Sequence, residues 1–95
     1  MSDIDIHAHH QMGHAQAQRA ADLLAQDLSA KFSVDYGWEG DTINFERPGV
    51  HGQILVVEDE IRVTAHLGLF MLMLKAPIEQ EIHRYLEDHF ATSKG

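Results

Sequence analysis

Eight histidines are the first residues of this chain that could do chemistry. His7, His9, His10 and His14 gather near the start. His7 and His9 stand two apart and would share one face of a strand. His10 and His14 stand four apart, one turn along a helix. Imidazoles at such spacings can hold zinc or nickel. The ordinary alternative is the solvated end of a strand and a helix, since no acidic or Cys ligand completes a recognised motif here. No metal is therefore expected to be needed for folding, and no cofactor is expected. Carboxylates cluster at turns, as Glu39 with Asp41 and as Glu58-Asp59-Glu60. Acid-base work needs a pocket that perturbs such groups, and solvated turn charges are their usual explanation. With no Cys, no nucleophile elbow, no phosphate-cradling glycine loop and no His-Glu-x-x-His, the chain reads as a protein that is not an enzyme.

Around these residues the hydropathy pattern places a β-sheet. From Ser33 to Gly68 it alternates with period two in four short segments, the mark of strands with one face on a core. Glu39-Gly40, Pro48-Gly49 and Glu58-Asp59 read as the three turns between them. With two-residue loops, Tyr36 faces Ile43, Ile43 faces Ile54, and Ile54 faces Val63, all on the core side. Phe45 then covers Gly52, and Trp38 sits on the inward face against a helix. His51 faces His66 on the outer side with Glu46 beside it. That trio could bind metal or respond to pH, or it could simply be a wet sheet face. Leu55 and Val57 share the outer face, where a partner subunit of a homodimer could cover them.

Before the meander, Ile4, Ile6 and Ala8 alternate with Asp3, Asp5 and His7 as a fifth strand. From about residue 11 to 31 the period becomes helical, with Ala17, Ala21, Leu24 and Leu28 as the stripe and Ala20 and Leu23 on its flanks. After the meander, Pro77 opens a second helix running to about Phe90 on Ile78, Ile82, Tyr85, Leu86 and Phe90, and the last residues are expected to fray. The expected fold is α+β, in the order β-α-β-β-β-β-α, an antiparallel sheet with two helices packed on one face. The whole of 1–95 is expected to be one domain with an ordered core over about 3–90.

Fifteen acidic residues against seven Lys and Arg give a net charge of -8, which disfavours nucleic acid and anionic membrane surfaces. No run is long enough to span a bilayer. Absence of cysteine and of a signal-peptide pattern suits a cytoplasmic location. The longest apolar stretch is Leu69-Phe70-Met71-Leu72-Met73-Leu74. Most of it is expected to be a buried connection into the last helix. The sharper reading exposes part of it, Phe70 and Met73, as a hydrophobic contact.

Trp38-Glu39-Gly40-Asp41-Thr42, then Phe45 to Gly52 as F-E-R-P-G-V-H-G, then Leu67-Gly68 and Ile78-Glu79-Gln80-Glu81-Ile82, resemble the polyhydroxyalkanoic acid system family. These are small bacterial proteins encoded among genes for making and using polyhydroxyalkanoate granules. The resemblance covers about His10 to Phe90. The His-rich start and the Met-rich run at 69–74 depart from it. It supplies no catalytic residues. It implies an accessory protein of polyhydroxyalkanoate storage that binds the granule or a granule-associated protein. A carrier of a small hydrophobic ligand, held between helices and sheet, is the alternative.

Overall fold

A computed structural model describes residues 3–11, 13–57 and 59–89. Its strands are β1 (Ile4–His9), β2 (Asp35–Glu39), β3 (Thr42–Arg47), β4 (Val50–Val57) and β5 (Glu60–Leu67). Helix α1 (His14–Phe32) follows β1, and a 3-10 helix (Leu69–Leu74) leads directly into α2 (Lys75–His89). This is the expected α+β order, with the 3-10 helix added. The antiparallel sheet runs β1-β5-β4-β3-β2, so the N-terminal strand closes the far edge against β5. Helix α1 lies over β2, β3 and β4, and α2 packs on β1 and on α1. Phe90, expected to end the α2 stripe, and the tail expected to fray lie outside the described residues, as does Glu58 of the last turn.

The core follows from period two meeting period 3.6. Ile43, Ile54, Val63 and Ile61 point inward from the sheet, and Ala17, Ala21, Leu24 and Leu28 meet them from α1; all are buried. Alanines early in α1 let the helix lie close to the strands. Ala25, which the stripe omitted, is buried, whereas the flanking Leu23 is exposed. Ser33 takes a left-handed φ of 61° and its N–H closes on the Ser29 carbonyl at 2.9 Å, ending the helix.

One turn differs from the sequence reading. Ile43 faces Ile54 and Ile54 faces Val63 as expected, and His51 faces His66. In β2–β3, however, Tyr36 faces Phe45 and Trp38 faces Ile43, so the loop is Gly40-Asp41 rather than Glu39-Gly40. Gly40 has φ +65° while Asp41 does not enter the positive region, the demand of a hairpin turn with glycine at its first central position. Moving that loop by one residue moves the pairing by two, so each side chain keeps its face. Pro48-Gly49 is the loop expected, with Gly49 at φ +85°, and no bulge shifts the pairing beside it.

Candidate functional site

Two motifs singled out in the sequence, residues 38–42 and 45–52, turn out to hold the fold. In the first, the Trp38 indole N–H donates to Asp22 Oδ1 on α1 at 2.9 Å. Asp41 Oδ1 lies 3.1 Å from His14 Nε2 and accepts from Gln18 Nε2 at 2.9 Å, so the hairpin is tied to the helix at three places. Trp38 is not the buried anchor that its inward register suggested. It is 39% exposed, because β2 is the edge strand and α1 reaches it with polar side chains. A buried indole needs a partner for its N–H, and here the partner holds the ring at the rim.

In the second motif, Arg47 Nη1 donates to the carbonyl of Phe32, the last residue of α1, at 2.8 Å. A helix end leaves such carbonyls without intrahelical donors, so the arginine caps it. Val50 is buried. A Cβ on Gly52 would fall 2.6 Å from Phe45 Cε1 and 2.7 Å from the Thr64 carbonyl, so the phenyl ring does cover that glycine. At Gly49 a Cβ would meet Met71 Cγ at 2.7 Å, and the Gly49 carbonyl accepts from the Gly68 N–H at 2.8 Å. This turn is therefore the seat of the 3-10 helix.

The early histidines are dispersed. His7 and His9 do share the outer face of β1. His7 places Nδ1 3.0 Å from Glu60 Oε2 and Nε2 2.9 Å from Asp5 Oδ1. The His7 contact, then Arg62, holds the Glu60 carboxyl below its usual range. His10 lies before α1, not on it, and is buried, while His14 opens the helix and turns to Asp41. The expected helical pair of His10 and His14 is thus corrected. Across the sheet, Glu46, His51, His66 and Asp3 form a row, with His51 Nδ1 3.2 Å from Glu46 and His66 Nδ1 3.4 Å from Asp3. Each imidazole leans on its own carboxylate. Among the described residues no three His, Asp or Glu converge on one metal position.

A polar clasp that the apolar stripes did not disclose joins the helices. Lys31 Nζ lies 3.0 Å from Glu81 and 3.8 Å from Asp27, and Arg84 Nη2 reaches Glu81 at 2.7 Å. A hydrogen bond from Asp27, then the Lys31 and Arg84 contacts, bring the Glu81 carboxyl down to about 2. Burial, and then that same hydrogen bond, push Asp27 up. Burial and the nearby Asp27 charge raise Tyr85. The i, i+4 spacing of Asp27 and Lys31 was the one visible hint.

The run at 69–74 is where large apolar groups stand free. The expectation of a buried connection fails, since none of its six residues is buried. Leu69 is 76% exposed, Phe70 89%, Leu72 42% and Met73 79%. Met71 and Leu74 alone pack against the core. The sorting follows from the 3-10 pitch, which eclipses residues three apart. Met71 with Leu74 forms the inward row, Phe70 with Met73 the outward row, and Leu69 with Leu72 the third. No helix among the described residues is long and apolar enough to cross a membrane. Residues 4–90 match a family model described as "Putative polyhydroxyalkanoic acid system protein". No curated protein and no solved structure matches the chain.

Proposed function

The chain belongs to the polyhydroxyalkanoic acid system family, and we propose that it serves polyhydroxyalkanoate storage as a non-enzymatic accessory protein that attaches to granules through Leu69–Leu74. One observation carries this reading: four large apolar side chains of a single 3-10 helix are exposed while the two motifs hold the hairpins and the described stripe residues of both helices pack in the core. Contiguous exposed apolar residues mark contact surfaces. Burying each Phe, Leu or Met releases about 1.5–3 kcal/mol. Repulsion from the net charge of -8 is screened beyond about 8 Å at cellular salt. A hydrophobic ligand held between α1 and the sheet would have to displace Leu24, Leu28, Ile43 and Ile54, which are fully buried there. Between α1 and the sheet, the carrier reading therefore gains no support. The test is co-sedimentation of the Phe70→Ser, Met73→Ser double variant with native granules, with its melting temperature measured alongside. Binding is expected to fall while stability holds; unchanged binding rejects the site.

A further inference from the structure

We propose that this contact is made with an uncharged apolar phase itself, entered by the Phe70–Met73 row, and that Pro77 holds that row outward. The inference rests on the contact reading above and adds the kind of partner and the residue that shapes the surface.

Six residues of 3-10 helix exceed the usual three or four, and Leu and Met are good α-helix formers. Their own preferences do not explain the conformation. Pro77 does. It is the third residue of α2, in the first turn, where a backbone N–H would have no intrahelical acceptor. Had the α-helix begun at Leu69, Pro77 would lie in its interior. The Met73 carbonyl would then lack its donor and meet the pyrrolidine ring. The chain instead enters α2 through tighter bonds, from the Met71 N–H to the Gly68 carbonyl at 2.9 Å and from the Lys75 N–H to the Leu72 carbonyl. An α pitch would set residues three apart about 60° out of line. The 3-10 pitch stacks Phe70 on Met73 instead, while Met71 and Leu74 stay seated inward.

The surface so made suits an uncharged partner. Its six side chains carry no charge and no strong hydrogen-bonding group, and two of its three rows stand outward. Among the described residues, Lys75 lies 3.9 Å from Glu79, and Arg47 is tied to the Phe32 carbonyl. Attraction to anionic lipid uses clusters of available Lys and Arg. Specific protein interfaces use direct hydrogen bonds around an apolar centre. Flexible Met and Leu side chains adapt to a soft surface that has no fixed pocket.

The experiment compares four proteins: wild type, Phe70→Ser with Met73→Ser, Pro77→Ala, and Leu23→Ser as a control for exposed leucine on α1. Each is mixed with native granules, with protein-free particles of amorphous polyhydroxybutyrate, and with phosphatidylglycerol-rich vesicles. Wild type and Leu23→Ser are expected to bind the bare particles and to prefer them to the vesicles. The double variant should bind them at least about a hundredfold more weakly, near tenfold per side chain. Pro77→Ala should gain helical circular dichroism as α2 extends backward, keep its melting temperature or raise it, and bind about tenfold more weakly. Binding to native granules without binding to bare particles would show a protein partner and overturn the inference, leaving the granule reading in place. Stronger binding to the vesicles would also overturn it. Binding to neither granules nor particles would defeat both readings. Unchanged helicity or unchanged affinity in Pro77→Ala would remove the proline from the account.

Discussion

Beside the lone Leu23 on α1, two places among the described residues expose large apolar groups, and they do so for different reasons. At the β2–β3 turn, Trp38 is held at the rim by Asp22, and the turn is tied to α1 through Asp41. Its exposure is a by-product of a polar lock that the fold uses. At 69–74, Phe70 and Met73 contact neither a polar partner nor the core cluster, and two neighbours share their exposure. Exposure with an internal partner is architecture; exposure without one asks for an external partner. The sharpest way to break this contrast is to perturb both ends and read both properties. Phe70→Ser with Met73→Ser should weaken granule association at least about a hundredfold yet shift stability by no more than about 0.5 kcal/mol. Trp38→Ala should do the reverse. A double variant that melts early would return the run to the core.

Gly49 lies under the apolar end and links it to the sheet. Gly49→Ala must place a methyl group at φ +85°, and that group would meet Met71 Cγ at 2.7 Å. Strain of this kind costs about 1–3 kcal/mol, and displacing Met71 adds to it. We expect a loss of about 2–3 kcal/mol in urea unfolding, together with altered granule binding as the inward row lifts. Gly40→Ala, also at positive φ but with nothing near its Cβ, should cost about 1–2 kcal/mol and leave binding alone. Equal effects of the two on binding would show that the Gly49 turn does not seat the run.

The sheet was readable because its signal is repeated. Ile43, Ile54 and Val63 each keep period two, and a slip anywhere would have exposed a whole apolar set. The turn at Gly40 falls one residue beyond its expected place because alternation survives a shift of two in pairing; only the φ demand of the hairpin decides it. Trp38 and the 69–74 run depart from their expected burial for one physical reason. Apolar type predicts a wish to be buried, while actual burial depends on what lies opposite. Trp38 falls on an edge strand beneath the polar side of α1, and the run falls beyond the last strand, where Met71 and Leu74 take the core contacts and Met71 rests on the Gly49 turn. The Asp27–Glu81 clasp was illegible because its partners are 54 positions apart (81 − 27) on separate helices. The histidines drew notice by number, but their spacing in sequence says little about convergence once His10 is buried and His14 turns to the hairpin.

Trp38 itself gives a smaller test of the same contrast. Trp38→Phe keeps a ring and removes only the donor to Asp22, so it should cost about 1 kcal/mol. Trp38→Ala removes half-covered apolar area as well. It should cost about 2 kcal/mol, less than the roughly 3–5 kcal/mol of a fully buried ring. Thermal melting of the two variants beside Asp22→Ala checks this. If Asp22→Ala and Trp38→Phe prove additive in the double variant, the hydrogen bond contributes nothing and the lock is illusory.

The smallest effect comes from the clasp that holds α2, and with it the apolar end, to α1. Glu81 has its carboxyl lowered from 4.5 to about 2 in the folded chain, so its ionised form favours the fold. That contribution is complete above pH 4.5 and is lost as pH falls toward 2. Asp27 is raised from 3.8, so its protonated form favours the fold. Its contribution has the opposite sign, growing as pH falls through its folded value and complete below 3.8. Asp27→Asn removes the opposing contribution and leaves the acid loss of Glu81 exposed. For a clasp open to water on one side, that loss should be about 1 kcal/mol, a fall in melting temperature of about 4–8 °C. Glu81→Gln should start lower at neutral pH and show a shallower decline with acid. Trp38 is the single tryptophan, so its fluorescence follows the hairpin end while hydrogen exchange follows α2. In Asp27→Asn, as pH falls from 4.5 toward 2, the protection of α2 amides relative to their intrinsic exchange rate at each pH should fall before the tryptophan signal moves. Simultaneous change would mean that the two ends are one cooperative unit and that their contrast stops at the surface.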